Sequence, residues 1–357
     1  MRNYTSQSNK THISINLMYT NGLTMRSLHG SLLSLLAVFC FTFFVSACSD
    51  DDDDNPVTNN NNEEQPSDTL QQEAVLDSMD FICKKGEMKI YGKLYRKVST
   101  GKKAPAVILS HSSSLTHAAM ADYARAIADK GMVAYCFDFC GGSSESKSDG
   151  NTDSMTVFTE VDDLKAVLSA VRQMDIVDND SIFLLGSSQG GLVSALVAEE
   201  CASEVCGMLL FYPAFNIPDL IKQYGDLFNQ WGSGDWGNLG DWGNMGSWGD
   251  LGDMNGMMGM MSMSELYIST IKDFDVWSNI GTFPHPVTIL HGTSDIIVPI
   301  SYSEKAVGLY PQATLHKIDG ANHGFNAANL GSMGSMMGAG ADYDGVVLPL
   351  VFRALNR

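Results

Sequence analysis

The sequence predicts an α/β fold, a mostly parallel, doubly wound sheet with helices on both faces and a cap insertion near one end of the strands. Three observations carry this. From about residue 75 onward, short apolar runs fit for buried strands alternate with amphipathic stretches of helical period. Apolar residues make up 44% of the 357-residue chain, enough for a large core. One late stretch, "WGSGDWGNLGDWGNMGSWGDLGDMNGMMGMMSM", breaks the alternation with a composition unlike the rest.

The first 48 residues stay out of the fold argument. Read from Met25, a short segment with Arg26 and His29 leads into "LLSLLAVFCFTFFV" and then "SAC". The run is short for a membrane span and has the order of a targeting segment. Val45, Ser46, Ala47 and Cys48 resemble the lipobox of bacterial lipoproteins, in which Cys48 becomes the acylated N-terminus and the chain is anchored to the membrane by lipid. Secretion with cleavage after Ala47 is the plainer alternative. Residues 49–74, opening with "SDDDDD", hold almost nothing apolar and read as a disordered acidic tether. An acidic run beside the cysteine also resembles the signal that sends some lipoproteins to the bacterial outer-membrane surface; a solvated spacer is the alternative.

Residues 75–357 form the predicted domain. "MDFICKK" and "MKIYGKLYRK" read as an antiparallel pair, "APAVILS" as a central strand, "HAAMADYARAIADKG" as a helix closed by glycine, and "MVAYCFDF" as the next strand. "FTEVDDLKAVLSAVRQM" is amphipathic, with Val161, Leu164, Leu168 and Val171 on one face. "SIFLLG", the helix after Ser188 and the strand "VCGMLLFYP" follow. Beyond a cap at 214–280, which holds the low-complexity tract 231–263, come "PVTILHG", a helix around "ISYSEKAVGLY", "ATLHKIDG" and a last helix near "YDGVVLPLVFRALNR". With Cys40 and Cys48 set aside, Cys83, Cys136, Cys140, Cys201 and Cys206 have no metal-ligand spacing and read as mostly buried free thiols. One pair, for example Cys201 with Cys206, is open to bridging in an oxidising compartment. The net charge of −19 argues against nucleic acid as a partner.

Three segments fall at the carboxyl ends of predicted strands. "GSSQG" fits G-x-S-x-G, a strand-to-helix turn that lifts Ser188 above the sheet, and Gly186 and Gly190 keep the turn clear of side chains. "LHGTSDIIVP" places Asp295 past one strand, and "IDGANHGFN" places His323 past the last. A serine hydroxyl is a poor nucleophile until an imidazole takes its proton, and the imidazole needs a carboxylate to hold its tautomer. Ser188, Asp295 and His323 are thus the candidate catalytic set, with Asp219 as reserve acid. Asp138 reads as a loop organiser. His111 and His291 read as loop supports, His316 as a solvent-facing strand residue, and His285 as a residue held between prolines. Gln189, following the nucleophile, is one candidate oxyanion donor. The loop after "APAVILS" supplies the other, Ser113 first and Ser112 second.

The segments "DFCGGSSESKS", "MTVFTEVDDLKAVLSAV", "IFLLGSSQGGLVSALVA", "VTILHGTSDIIVP" and "ATLHKIDGANHGF" resemble the α/β-hydrolase superfamily and, within it, the bacterial cinnamoyl and feruloyl esterases. The resemblance implies a serine esterase acting through an acyl-enzyme on aromatic or short acyl esters, small or linked to polysaccharide, without metal or organic cofactor. Departures from those relatives are Ser112 in place of a glycine, Cys140 and Gly142 in place of arginine and histidine, and the cap. A peptidase on the same scaffold and a non-catalytic surface binder are the rival readings. The Trp/Met tract, with a second, "GSMGSMMGAGAD", near His323, reads either as an apolar lid or as an insertion without a ligand role.

Overall fold

A computed structural model describes residues 76–98, 102–232, 263–325 and 343–356, without the side chains of 226–232. The leader, Cys48, the acidic tether, most of the Trp/Met tract and all of the second tract lie outside the described residues. Eight strands form one sheet in the order β1-β2-β4-β3-β5-β6-β7-β8. The first two, β1 (Leu76–Lys85) and β2 (Met88–Lys97), form the expected antiparallel pair, and β2 joins β4 (Val133–Phe137) antiparallel. The rest run parallel: β3 (Ala104–Ser110), β4, β5 (Val177–Ser187), β6 (Gly207–Phe211), β7 (Val287–Gly292) and β8 (Ala313–Ile318). Because β4 lies on one side of β3 and β5 on the other, the winding reverses there, and the crevice this opens lies at the carboxyl ends of the strands.

Side chains alternate across a strand, so each central strand feeds two cores. Ala106 and Ile108 of β3 face one core with helices α2 (Val157–Arg172) and α3 (Gln189–Glu200). Val107 and Leu109 face the other, with α1 (Ala121–Asp129) and a later helix, Asp344–Leu355. The predicted face of α2 is buried throughout, and its start is fixed by a reciprocal cap: the Thr159 N–H donates to Thr156 Oγ1 at 3.1 Å and the Thr156 N–H to Thr159 Oγ1 at 2.9 Å.

Two expectations are amended, and the free-thiol reading of the cysteines is upheld. The helix α4 (Ile217–Gly232) carries regular backbone past Trp231, where the glycine-rich sequence predicts a loop. Cys201 and Cys206 are free thiols, as are Cys83, Cys136 and Cys140. His316 is half-buried in β8 instead of facing solvent.

The glycines flanking the β5–α3 turn are required by space. A Cβ on Gly186 would lie 2.2 Å from the Gly190 carbonyl oxygen, and one on Gly190 would lie 2.4 Å from that of His111. Both obstacles are backbone, so neither moves cheaply. Gly190→Ala should lower the unfolding free energy by about 1–3 kcal/mol in urea titration. Gly345→Ala, where an added Cβ meets nothing within 4 Å, should be neutral or stabilising by up to about 1 kcal/mol.

Candidate active site

Ser188 stands between β5 and α3 with φ 52° and ψ −118°, a conformation that a side-chain-bearing residue adopts only under constraint. The constraint is a set of backbone hydrogen bonds. The Ser188 N–H donates to the Phe211 carbonyl at 2.9 Å, and the Ser188 carbonyl accepts from the N–H groups of Gly191 (2.9 Å), Leu192 (3.2 Å) and Ala214 (2.9 Å). The hydroxyl thereby points away from the sheet, 3.0 Å from Nε2 of His323. On the far side of the ring, Nδ1 donates to Asp295 Oδ2 at 2.8 Å. Serine, histidine and aspartate, with the serine 135 positions before the histidine and the aspartate 28 before it, thus form one continuous hydrogen-bonded line, each less than a tenth exposed.

Asp295 is held from four sides. Its Oδ1 accepts from the backbone N–H of Ile297 (3.0 Å) and Val298 (2.9 Å), and its Oδ2 faces His323 and also His291 Nε2 at 3.1 Å. His291, at the end of β7, is tied to Ser303 Oγ at 2.7 Å and to the Val298 carbonyl at 2.8 Å. Burial alone would raise the Asp295 carboxyl; the charge of His323 and the hydrogen bonds from both imidazoles outweigh it and hold the group well below the ordinary carboxylate range. His291 therefore supports its loop, as its place in the sequence implies, and also contacts the acid, which the sequence does not reveal.

The loop after β3 is fixed by His111. Its Nε2 accepts the Phe139 N–H at 3.2 Å, so Nδ1 carries the proton and donates to the Ser112 carbonyl at 2.8 Å. Burial lowers its pKa, which keeps the ring neutral and this pattern intact. Ser112 places its hydroxyl 2.9 Å from Ser187 Oγ, inside the protein. Ser113 and Gln189 line the same cavity as Ser188, a space of about 630 Å³ open to solvent. Its remaining wall is largely apolar, with Ala214, Ile217, Met263, Ile297 and Val298. Tyr212, itself at φ 36°, packs its ring 4.4 Å from that of His323.

Other candidates are placed elsewhere. Asp219 is exposed and accepts the Tyr302 hydroxyl at 2.9 Å, while His323 faces Asp295. Asp138 is the loop organiser its position suggests, accepting from the His117 N–H at 2.7 Å and ring Nδ1 at 2.6 Å and from the Lys147 N–H at 2.8 Å. His285 lies 3.1 Å from the Ala202 carbonyl. Glu160 and Asp163 were missed: both are buried on the inner face of α2. The helical spacing Val157, Glu160, Leu164 carries that signal, an acidic residue in line with the apolar stripe.

The Asp295 carboxyl has a lower pKa in the folded protein than in the unfolded chain. The stability this group contributes is present above its unfolded value, about 4, and is lost as pH falls through the folded one. Asp295→Asn should flatten that part of the acid limb when unfolding free energy is measured against pH.

A family model described as serine aminopeptidase, S33 matches residues 101–239, a span that includes Ser188 but stops short of Asp295 and His323. No curated protein sequence matches the chain. Among solved structures, Est1E from Butyrivibrio proteoclasticus with ferulic acid bound is 18% identical with TM-score 0.58, over 78% of this chain and 100% of that one. The complex of DcsB with its substrate analogue is 18% identical with TM-score 0.56, over 78% and 99%. The α/β hydrolase GrgF from Penicillium sp. sh18 is 15% identical with TM-score 0.53, over 79% and 100%.

Proposed function

We propose that this chain, a serine hydrolase of the α/β-hydrolase fold, is a carboxylic-ester hydrolase that works through an acyl-enzyme on Ser188. The single observation that carries the reading is the line Ser188 Oγ, His323 Nε2, His323 Nδ1, Asp295 Oδ2, with steps of 3.0 Å and 2.8 Å, at the floor of an apolar pocket. His323 takes the hydroxyl proton as Ser188 Oγ bonds to the ester carbonyl carbon. The resulting oxyanion is met by the N–H groups of Gln189 and Ser113. As the C–O bond to the alcohol breaks, the imidazolium returns the proton to the departing oxygen. Water, deprotonated by the same ring, then attacks the acyl carbon and frees Ser188. Asp295 keeps the proton on Nδ1 in the resting ring, so that Nε2 faces the nucleophile as a base.

The apolar wall suits an aromatic or short acyl group, and Est1E, which has ferulic acid bound, lends support to the aromatic class. A peptidase is the second reading, favoured by the description of the matching family model. Among the described residues lining the pocket there is no carboxylate to receive a free α-amino group, which favours the ester. Cys48 and the leader support a lipid-anchored enzyme at the bacterial outer membrane; metabolic labelling with an alkynyl fatty acid should mark the chain, and Cys48→Ser should abolish the mark.

Parallel assays on aryl esters and on aminoacyl anilides test the reaction class. Esters should be preferred, and Ser188→Ala or Asp295→Asn should lower kcat by about 10⁴-fold or more without loss of the fold. Preferential anilide cleavage would favour the peptidase, and ester turnover unaffected by Ser188→Ala would remove the assignment altogether.

A further inference from the structure

The side chain of Gln189 has no part in the steps above, yet both its ends are engaged in the interior. Tyr267, from the helix Glu265–Ile271 on the return from the cap, donates its hydroxyl proton to Gln189 Oε1 at 2.7 Å. On the other end, Gln189 Nε2 donates to Glu160 Oε2 at 2.8 Å. All three side chains are at most 1% exposed. In this orientation the Tyr267 hydroxyl meets the acceptor end of the amide and the Glu160 carboxyl its donor end. The loop after β4 packs against this arrangement: a Cβ on Gly142 would lie 2.8 Å from Phe139 Cβ and at ordinary contact distance, 3.4 Å, from Glu160 Oε1.

We propose that Glu160 is a positioning residue for hydrolysis: through Gln189, and with Tyr267 on the opposite side, it sets the direction of the backbone N–H that follows the nucleophile. The proposal rests on the ester-hydrolase reading, because that N–H matters only when an oxyanion forms beside Ser188. Oxyanion donors act through placement, and a small misplacement of a reacting geometry slows the chemical step more than it weakens substrate binding.

The charged and titratable groups around Glu160 bear on its ionisation. Asp163 lies one turn along α2, ion-paired with Lys85 of β1 and accepting the Cys140 N–H at 2.8 Å. Tyr267 and Gln189 complete the surroundings. With Lys85 engaged by Asp163, no cation among the described residues pairs with the Glu160 carboxyl. Burial pushes that carboxyl up to about 8, the hydrogen bond from Gln189 opposing and the charge of Asp163 adding to the rise. That rise favours the protonated, neutral form at pH 7. Because its folded pKa is raised, the stability linked to its proton is full below the unfolded value and is lost as pH rises through the folded one. An ionised Glu160 draws water inward or shifts Gln189, since an uncompensated buried charge is costly.

The test follows kcat and KM for an aryl ester from about pH 6 to about pH 10 in the full-length wild type and in Glu160→Gln, with phosphonate titration of Ser188 at each pH. Wild-type kcat should fall about three-fold or more through pH 8 to 9 on a nearly constant KM, with Ser188 still titratable. Glu160→Gln, whose amide imitates the neutral carboxyl, should keep kcat at pH 7 within about two-fold and lose the alkaline fall. The same alkaline limb in both proteins, a limb in neither, or a folded Glu160→Gln slowed more than about ten-fold at pH 7 overturns the proposal. If Glu160→Gln does not fold, Tyr267→Phe decides. It removes the opposing hydrogen bond, and kcat should fall about three- to ten-fold on an unchanged KM; wild-type kcat overturns the proposal. Failure of wild-type Ser188 to titrate at pH 7 is the separate signature that the ester-hydrolase reading itself is wrong, and it overturns both.

Discussion

The left-handed backbone at Ser188 is the constraint on which the site depends. A residue with a side chain at φ 52° and ψ −118° is strained by about 1–3 kcal/mol, and it persists only where its surroundings leave no alternative. Here β6 accepts the Ser188 N–H through Phe211, and three N–H groups converge on the Ser188 carbonyl. The two glycines admit backbone to backbone contact that any side chain would prevent. The same geometry that lifts the hydroxyl also starts α3 at once, so the N–H of Gln189 emerges beside the nucleophile.

Strain is concentrated around this point. The non-glycine residues with positive φ among the described residues are Ser114, Ser188, Tyr212 and Phe325, and all four follow carboxyl ends of strands near the cavity. Tyr212 and Phe325 pack against each other with ring centroids 4.8 Å apart, and Tyr212 packs against the His323 ring. Polar satisfaction holds the acid side as firmly. Two N–H groups occupy one oxygen of Asp295 and two imidazoles the other, so the carboxylate has little freedom to turn from His323.

The fold and the line of three side chains were legible in the sequence because both rest on local rules. Period-two apolar runs mark strands, a glycine-flanked serine marks a turn, and an aspartate and a histidine each follow a strand. Parallel strands bring such ends to one edge, so chain order alone implies their meeting above the sheet. Contacts made by long-range packing were not legible. His291 reads as an ordinary strand end, and only the β7 to α-helix turn brings it to Asp295. Gln189 reads as a backbone donor, while its side chain bridges two helices nearly eighty residues apart on one side and thirty on the other. The helical backbone through Trp231 also runs against local composition.

Rapid-mixing kinetics with an activated aryl ester, followed by mass analysis of acid-quenched protein, tests the central claim most directly. The geometry predicts a burst of alcohol stoichiometric with protein and an acyl group on the peptide that contains Ser188. A burst with the acyl group on another residue, or steady turnover by protein in which Ser188 has been replaced by alanine, would contradict it.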